Sequence, residues 1–303
     1  YGETRIPDAR MFDPIDLLLV DLQDVGTRVY TFIYTLSYCL EAARDFNKKV
    51  IILDRPNPVN GLAVEGNCLT ADCESFVGRY PIPMRHGLTV GEIGLLFNNH
   101  FGIGCDLDVI PMQGWQRNMF FVDTGLPWVA PSPNLPTPAS ALVYPGQVIW
   151  EGTNVSEGRG TALPFELFGA PFMDIEKIQA GLDNAQIAGV VLRPAVFEPT
   201  STQWQPTAGN GFQIHVPAPR RYRSYATTRH LLQAGIPHHR QEFAWKSPPY
   251  EDEYERRPID LIMGEGHIRQ RIESLDPLDE IEASWQEGLE RFREICRDYY
   301  LYE

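Results

Sequence analysis

Ile15-Asp-Leu-Leu-Leu-Val-Asp-Leu22 and Lys49-Val-Ile-Ile-Leu-Asp54 are the two stretches that decide the fold. Each is a short continuous apolar run closed by a polar residue, the pattern of a strand buried on both faces as in a parallel sheet. Between them, after Gln23-Asp24-Val25-Gly26-Thr27-Arg28, apolar residues recur at helical spacing from Tyr30 to Phe46. Strand, helix and strand make a βαβ unit, and open parallel sheets bind ligands at the carboxyl ends of their strands. The segments Asp21 to Arg28 and Asp54 to Asn60 are therefore expected along one edge of the sheet.

Further elements extend this core. Gly87 to Phe97 reads as a helix with Thr89 as N-cap and Glu92 at capping-box spacing, and Leu107 to Met112 supplies a third strand. From Trp115 to Gly160 the chain is rich in Pro, Gly and Trp, interrupted by the short run Ala141-Leu-Val-Tyr144, and reads as a cleft wall and domain junction. A second α/β region follows from about Pro164, with a helix near Asp174 to Leu182, strands at Gly189 to Phe197 and Gly211 to Val216, and a helix from Tyr222 to Gly235. Asp279 to Tyr300 closes the chain at helical spacing. The fold class is α/β.

At 303 residues the chain is long enough for one large or two medium domains with an ample core. Lys and Arg number 26 against 40 Asp and Glu, a formal charge of −14. Phosphate backbones are held by Lys/Arg clusters, and the densest here is Arg220, Arg221 and Arg223, so nucleic acid is not an expected partner. No run approaches the roughly 18 apolar residues of a membrane span. Five cysteines, Cys39, Cys68, Cys73, Cys105 and Cys296, show no C-x-x-C spacing, so neither a metal nor a redox site is expected, although Cys68 and Cys73 are close enough in sequence to bridge. No cofactor motif is present either. Tyr1-Gly2-Glu3-Thr4 reads like the interior of a longer protein, so an upstream segment is expected, with any targeting signal in it.

Four polar stretches could carry chemistry. Asp21-Leu-Gln23-Asp24-Val-Gly-Thr-Arg28-Val-Tyr30 packs carboxylates, an amide, a guanidinium and a phenol into the turn after the first strand. Plain turn chemistry explains its Asp and Gly residues but needs neither Gln23 nor Arg28. Asp54-Arg55-Pro56-Asn57-Pro58-Val-Asn60 is a proline-stiffened loop suited to ligand recognition or simply to turning. Arg85 and His86 stand just before a helix N-terminus, a point that suits an anion; with no G-x-S-x-G context, His86 is better placed to bond a ligand or order the loop than to serve a triad. The densest stretch is Trp150-Glu151-Gly-Thr-Asn154-Val-Ser-Glu157-Gly-Arg159-Gly-Thr161. It is not a phosphate loop, because five residues separate Gly152 from Gly158 and Arg159 replaces the Lys. Two Glu flanked by glycines suit carboxylate chemistry or sugar-hydroxyl binding, with an internal salt bridge to Arg159 as the structural alternative. Trp115, Trp128, Trp150, Tyr80 and Tyr144 offer flat rings for sugar faces or for the core.

Taken in order, Tyr1-Gly-Glu-Thr4, Asp21-Leu-Gln-Asp24-Val-Gly, Leu53-Asp-Arg-Pro-Asn-Pro58, Pro81-Ile-Pro-Met-Arg-His86-Gly, Asp123-Thr-Gly-Leu-Pro-Trp128, Pro131-Ser-Pro-Asn134, Glu151 to Thr161 and Pro258-Ile-Asp260 closely resemble the exo-lytic β-N-acetylmuramidase family of peptidoglycan hexosaminidases, nearly end to end. The resemblance implies a glycosidase that removes terminal β-1,4-linked N-acetylmuramic acid from peptidoglycan fragments. It implies a Rossmann-like N-terminal domain, residues 1–145 and part of the upstream segment, a smaller α/β C-terminal domain, residues 146–303, and an active-site cleft between them. An extracytoplasmic location also follows from it. So does a Ser-Pro-Glu-His-Gly motif upstream of Tyr1, whose Glu is expected to be catalytic; either that Glu or the carboxylates of this chain carry the chemistry.

Glycoside hydrolysis uses an acid with a second carboxylate, or with the substrate's own acetamido oxygen as nucleophile. Glu157 and Glu151 are the first catalytic candidates, and Asp21 and Asp24 the second. Arg28, Arg85 and Arg159 suit the lactyl carboxylate of muramic acid, which a planar guanidinium binds bidentately. Gln23, Tyr30, Arg55, Asn57, His86, Asn134 and Asn154 complete the expected binding set. The alternatives are a non-catalytic peptidoglycan- or glycan-binding protein and, third, a hydrolase of phosphate or acyl bonds.

Overall fold

A computed structural model of the protein describes residues 4–182 and 187–303. Tyr1, Gly2 and Glu3 lie outside the described residues. The chain forms two compact units, each assembled from separated stretches: Tyr1–Val64, Arg85–Leu126 and Glu290–Glu303 in the first, Glu65–Met84 and Pro127–Leu289 in the second.

The first unit holds the βαβ core. Strand β1 (Leu17–Val20), helix α1 (Phe32–Asp45), strand β2 (Lys49–Leu53), helix α2 (Val90–Leu95) and strand β3 (Leu107–Ile110) form a parallel sheet of order β1-β2-β3. In its register Val20 stands beside Ile52 and Ile52 beside Val109. Both helices pack on β2. A Cβ at Gly91 would stand 2.6 Å from Val109 and 2.8 Å from Asp54, so glycine there lets α2 lie directly on the sheet.

The expectation that these strands are buried on both faces holds for one face only. Val50 and Ile52 are wholly buried, whereas Leu17, Leu19 and Ile110, on the opposite face, are 42%, 57% and 52% exposed. The two crossovers step in the same direction, and right-handed crossovers that do so set their helices on the same side of the sheet.

The second unit is organised by an antiparallel sheet, β4 (Leu167–Ala170), β6 (Gly209–His215) and β5 (Val191–Phe197), in that order. Helix α3 (Pro138–Gln147) packs on α5 (Ser224–Gly235), and α4 (Ile175–Gly181) starts at Asp174, whose side chain accepts from the Lys177 N–H. Trp150 stacks on Phe168 with ring centroids 5.0 Å apart, tying the turn Val148–Gly152 to β4.

Helix α3 corrects the loop reading of Trp115 to Gly160. Pro145 and Gly146 look like breakers, and Pro145 does remove an N–H from the helix. The turn around the proline is tied from a distance: Ser224 Oγ accepts from the Gly146 N–H at 2.8 Å and donates to Val143 O at 2.7 Å. The final segment also differs, dividing into Leu278–Ala283 and α6 (Gln286–Cys296), with a tight turn at Arg297–Tyr299. Among the described residues no disulfide forms, and Cys68 and Cys73 do not bridge. No helix among the described residues is long and apolar enough to cross a membrane.

Candidate active site

In the first unit, the turn after β1 is knitted to two other loops. Asp24 Oδ2 accepts from the Gly26 N–H at 2.7 Å and lies 3.3 Å from His86 Nε2. His86 Nδ1 accepts from the Leu88 N–H at 3.2 Å, which leaves the ring proton on Nε2, facing Asp24. Gly26, at φ 73°, permits a close approach: a Cβ there would sit 2.5 Å from Asn57 Oδ1. Asn57 in turn donates to Leu88 O at 2.9 Å, and Arg85 donates to Val59 O. Asp24, Arg28, Asn57, Arg85 and His86 are all buried, with Arg28 at 0% exposure and Tyr30 at 8%.

Asp21 and Arg55 stand apart from that cluster as an exposed bidentate pair, 2.5 Å and 2.9 Å. The Arg55 hydrogen bonds hold the Asp21 carboxyl below its usual range. Gln23 spends its amide on Asp24 O and Pro56 O, at 2.7 Å and 2.9 Å. The helix N-terminus that the sequence marked for an anion is already occupied by protein. Thr89 and Glu92 close the capping box, and Asp54 Oδ1 accepts from the Gly91 N–H at 2.7 Å. Glu92 also pairs with the buried Arg117 at 2.6 Å. Burial raises the pKa of both Asp54 and Glu92, against the bonds they accept. Arg117 and Glu92 escaped the sequence reading as an ion pair because nothing local links positions 25 residues apart.

The second unit holds the dense Glu151 to Thr161 stretch. Arg159 Nη1 lies 2.5 Å from Glu151 Oε1 and 3.0 Å from Glu157 Oε1, one guanidinium nitrogen between two carboxylates. Glu151 Oε2 accepts from Tyr250 OH at 3.0 Å, so both its oxygens are engaged. Glu157 is bonded through Oε1 alone, and among the described residues Oε2 has no partner. Burial raises the Glu151 pKa, partly offset by Arg159 and reinforced by Glu157. Burial works to lower the pKa of Arg159, yet the two carboxylates outweigh it and raise it. Gly158 and Gly160, at φ 80° and 81°, flank Arg159, and a Cβ on Gly158 would meet Leu167 O at 2.5 Å, so the turn that aims the guanidinium requires glycine. The arrangement sets two carboxylates side by side around one guanidinium nitrogen, with Glu151 also held by Tyr250, and a pair of carboxyl groups is what glycoside hydrolysis commonly uses.

Asn154 serves structure, donating to Glu242 O at 2.7 Å and accepting from the Ala244 N–H at 2.9 Å. Asn134 lies in the loop held by Ser132 Oγ at its N–H, 3.3 Å. Glu157, Glu151, Asn134, Asn154 and Arg159 thus belong to the second unit, and Asp21, Gln23, Asp24, Arg28, Tyr30, Arg55, Asn57, Arg85 and His86 to the first. Tyr250 was not foreseen; it lies 99 residues from its partner. Among the described residues no group of three His, Cys, Asp or Glu side chains is placed to hold a metal ion.

Two family models match the chain: exo-β-N-acetylmuramidase NamZ, N-terminal, over residues 1–139, and exo-β-N-acetylmuramidase NamZ, C-terminal, over residues 142–302. The chain is 40% identical over 302 residues to the peptidoglycan β-N-acetylmuramidase NamZ of Bacillus subtilis (strain 168), a match spanning 100% of this chain and 71% of that protein. Among solved structures it is similar to a DUF1343 family protein from Bacteroides fragilis NCTC 9343, with a TM-score of 0.88, 32% identity, and coverage of 100% of this chain and 79% of the other. A second DUF1343 family protein of the same organism gives a TM-score of 0.76 at 29% identity, covering 98% of this chain and 78% of that one.

Proposed function

The chain belongs to the exo-β-N-acetylmuramidase NamZ family, and from that premise we propose that it is a glycoside hydrolase removing terminal β-1,4-linked N-acetylmuramic acid from peptidoglycan fragments. One observation carries the reading: 40% identity across the whole chain to a relative named for that activity. In this reading Glu157, with one oxygen uncommitted, transfers the proton to the leaving oxygen or orients the acetamido group. Glu151, held by Arg159 and Tyr250, anchors the loop and keeps Arg159 in place. In the first unit Asp24 and His86 form a buried polar pair and Asp21 and Arg55 an exposed one. The test is release of the chromophore from a chromogenic N-acetyl-β-muramide by the full natural protein, with the matching N-acetylglucosaminide as control. Turnover of the muramide with little or none of the glucosaminide is expected, because an Arg meets the lactyl carboxylate. Binding of muramyl saccharide without turnover would discard the hydrolase for a glycan-binding protein. The same reading includes an extracytoplasmic location, which cell fractionation checks.

A further inference from the structure

Residues 300–303 return to the loops at the carboxyl ends of the parallel strands. Tyr302 OH donates to Asp54 Oδ2 at 2.6 Å and accepts from the Met112 N–H at 2.9 Å. Its ring meets Trp115 edge to face, centroids 5.0 Å apart. Beside it the Leu301 N–H donates to Glu92 Oε1 at 3.0 Å, and the Tyr300 ring lies 3.7 Å from the Arg117 guanidinium. Asp54, Met112 and Trp115, the three partners of Tyr302, are also part of the wall of a cavity of about 510 Å³ within the first unit.

That volume falls in the range of small-ligand sites. Asp54 cannot serve a ligand there. Its carboxylate already accepts from Thr89 Oγ1, Tyr302 OH and the Gly91 and Arg55 N–H groups. What the cavity offers is the exposed Asp21–Arg55 pair, the apolar sides of Met112, Met119 and Leu126, and Trp115. The Trp115 indole N–H is buried and has no acceptor among the described residues. The accessible groups, the Asp21–Arg55 pair beside the exposed Leu126 side chain, suit a sugar, which presents hydroxyl and amide oxygens around an apolar face.

We propose that this cavity takes the saccharide, and that Tyr302 is the positioning residue that holds its wall. The muramyl identity of that saccharide rests on the function proposed above. Tyr302→Phe keeps the ring against Trp115 and removes both hydroxyl bonds. In the full natural protein, titrated calorimetrically with N-acetylmuramic acid, Tyr302→Phe should raise Kd by about 3- to 10-fold. Without ligand, the Arg55, Gly91 and Met112 amides should exchange hydrogen faster than in wild type. Arg55→Ala, a change at an exposed position, should also weaken binding. Unchanged affinity in both variants would overturn the proposal, and so would faster exchange in Tyr302→Phe with an unaltered Kd, which would leave the tyrosine a merely structural role. Turnover on the chromogenic muramide is read separately: Tyr302-dependent binding in a protein without turnover supports this site and rejects the hydrolase.

Discussion

The two polar clusters handle charge in opposite ways. In the first unit, buried Asp24, His86, Asn57 and Arg85 are wired to backbone: Gly26 and Leu88 N–H groups on one side, Leu88 and Val59 carbonyls on the other. In the second, Glu151, Glu157 and Arg159 answer to side chains, two carboxylates competing for one guanidinium nitrogen. A backbone-wired cluster has one geometry and holds it. A side-chain cluster with surplus carboxylate can take up or release a proton with little movement, which is what acid–base catalysis needs. Burial and charge are common to both clusters, so the role proposed for Glu157 rests on the difference in partners.

The largest expected effect falls on the uncommitted carboxylate. Glu157→Gln should lower turnover by about 10²–10⁴-fold, with the melting temperature almost unchanged. If turnover is retained, the second cluster is scaffold like the first and the contrast between them collapses. Arg159→Ala comes next: two neighbouring carboxylates lose their counter-ion, and denaturant titration should show a loss of about 3 kcal/mol.

Glu151→Gln is expected to cost about 1–3 kcal/mol through the bonds to Arg159 and Tyr250, and its pH dependence sharpens the comparison further. Because the folded-state pKa of Glu151 is raised above the usual 4.5, its protonation favours the fold. That contribution is complete below the unfolded value and is lost as pH rises through the folded one. The melting temperature of wild type minus that of Glu151→Gln should therefore fall as pH increases from about 4.5, and a flat difference would place Glu151 among the fixed groups. The smallest effect is predicted outside both clusters. Asp21 has a lowered pKa, so its pairing with Arg55 stabilises above the unfolded value and is lost on acidification. Both partners are solvent-exposed, and Asp21→Asn should change stability by less than about 1 kcal/mol at neutral pH.

What was legible in the sequence was local. The βαβ core follows from two apolar runs and one change of period, and the Thr89–Glu92 box from a three-residue spacing. The pairing of Arg159 with Glu151 and Glu157 could be read because all three fall within one short stretch. What was missed depends on contacts made at long range. Tyr250 completes Glu151 from 99 residues away, and Tyr302 reaches Asp54 across 248. Helix α3 was read as loop because its tie to Ser224 Oγ comes 78 residues after Gly146. The exposed face of β1 has a different reason: an apolar strand announces a preference for cover, and among the described residues helices α1 and α2 pack on one side of β2.

The first unit is built from stretches that include both Leu17–Val20 and Glu290–Glu303. On the ribosome, where residues emerge at about 5–20 per second, the parallel sheet can therefore form well before the tail that bonds Asp54 and Glu92 exists. The bonds from Tyr302 to Asp54 and from Leu301 to Glu92 must wait until all of Pro127–Leu289 has been made.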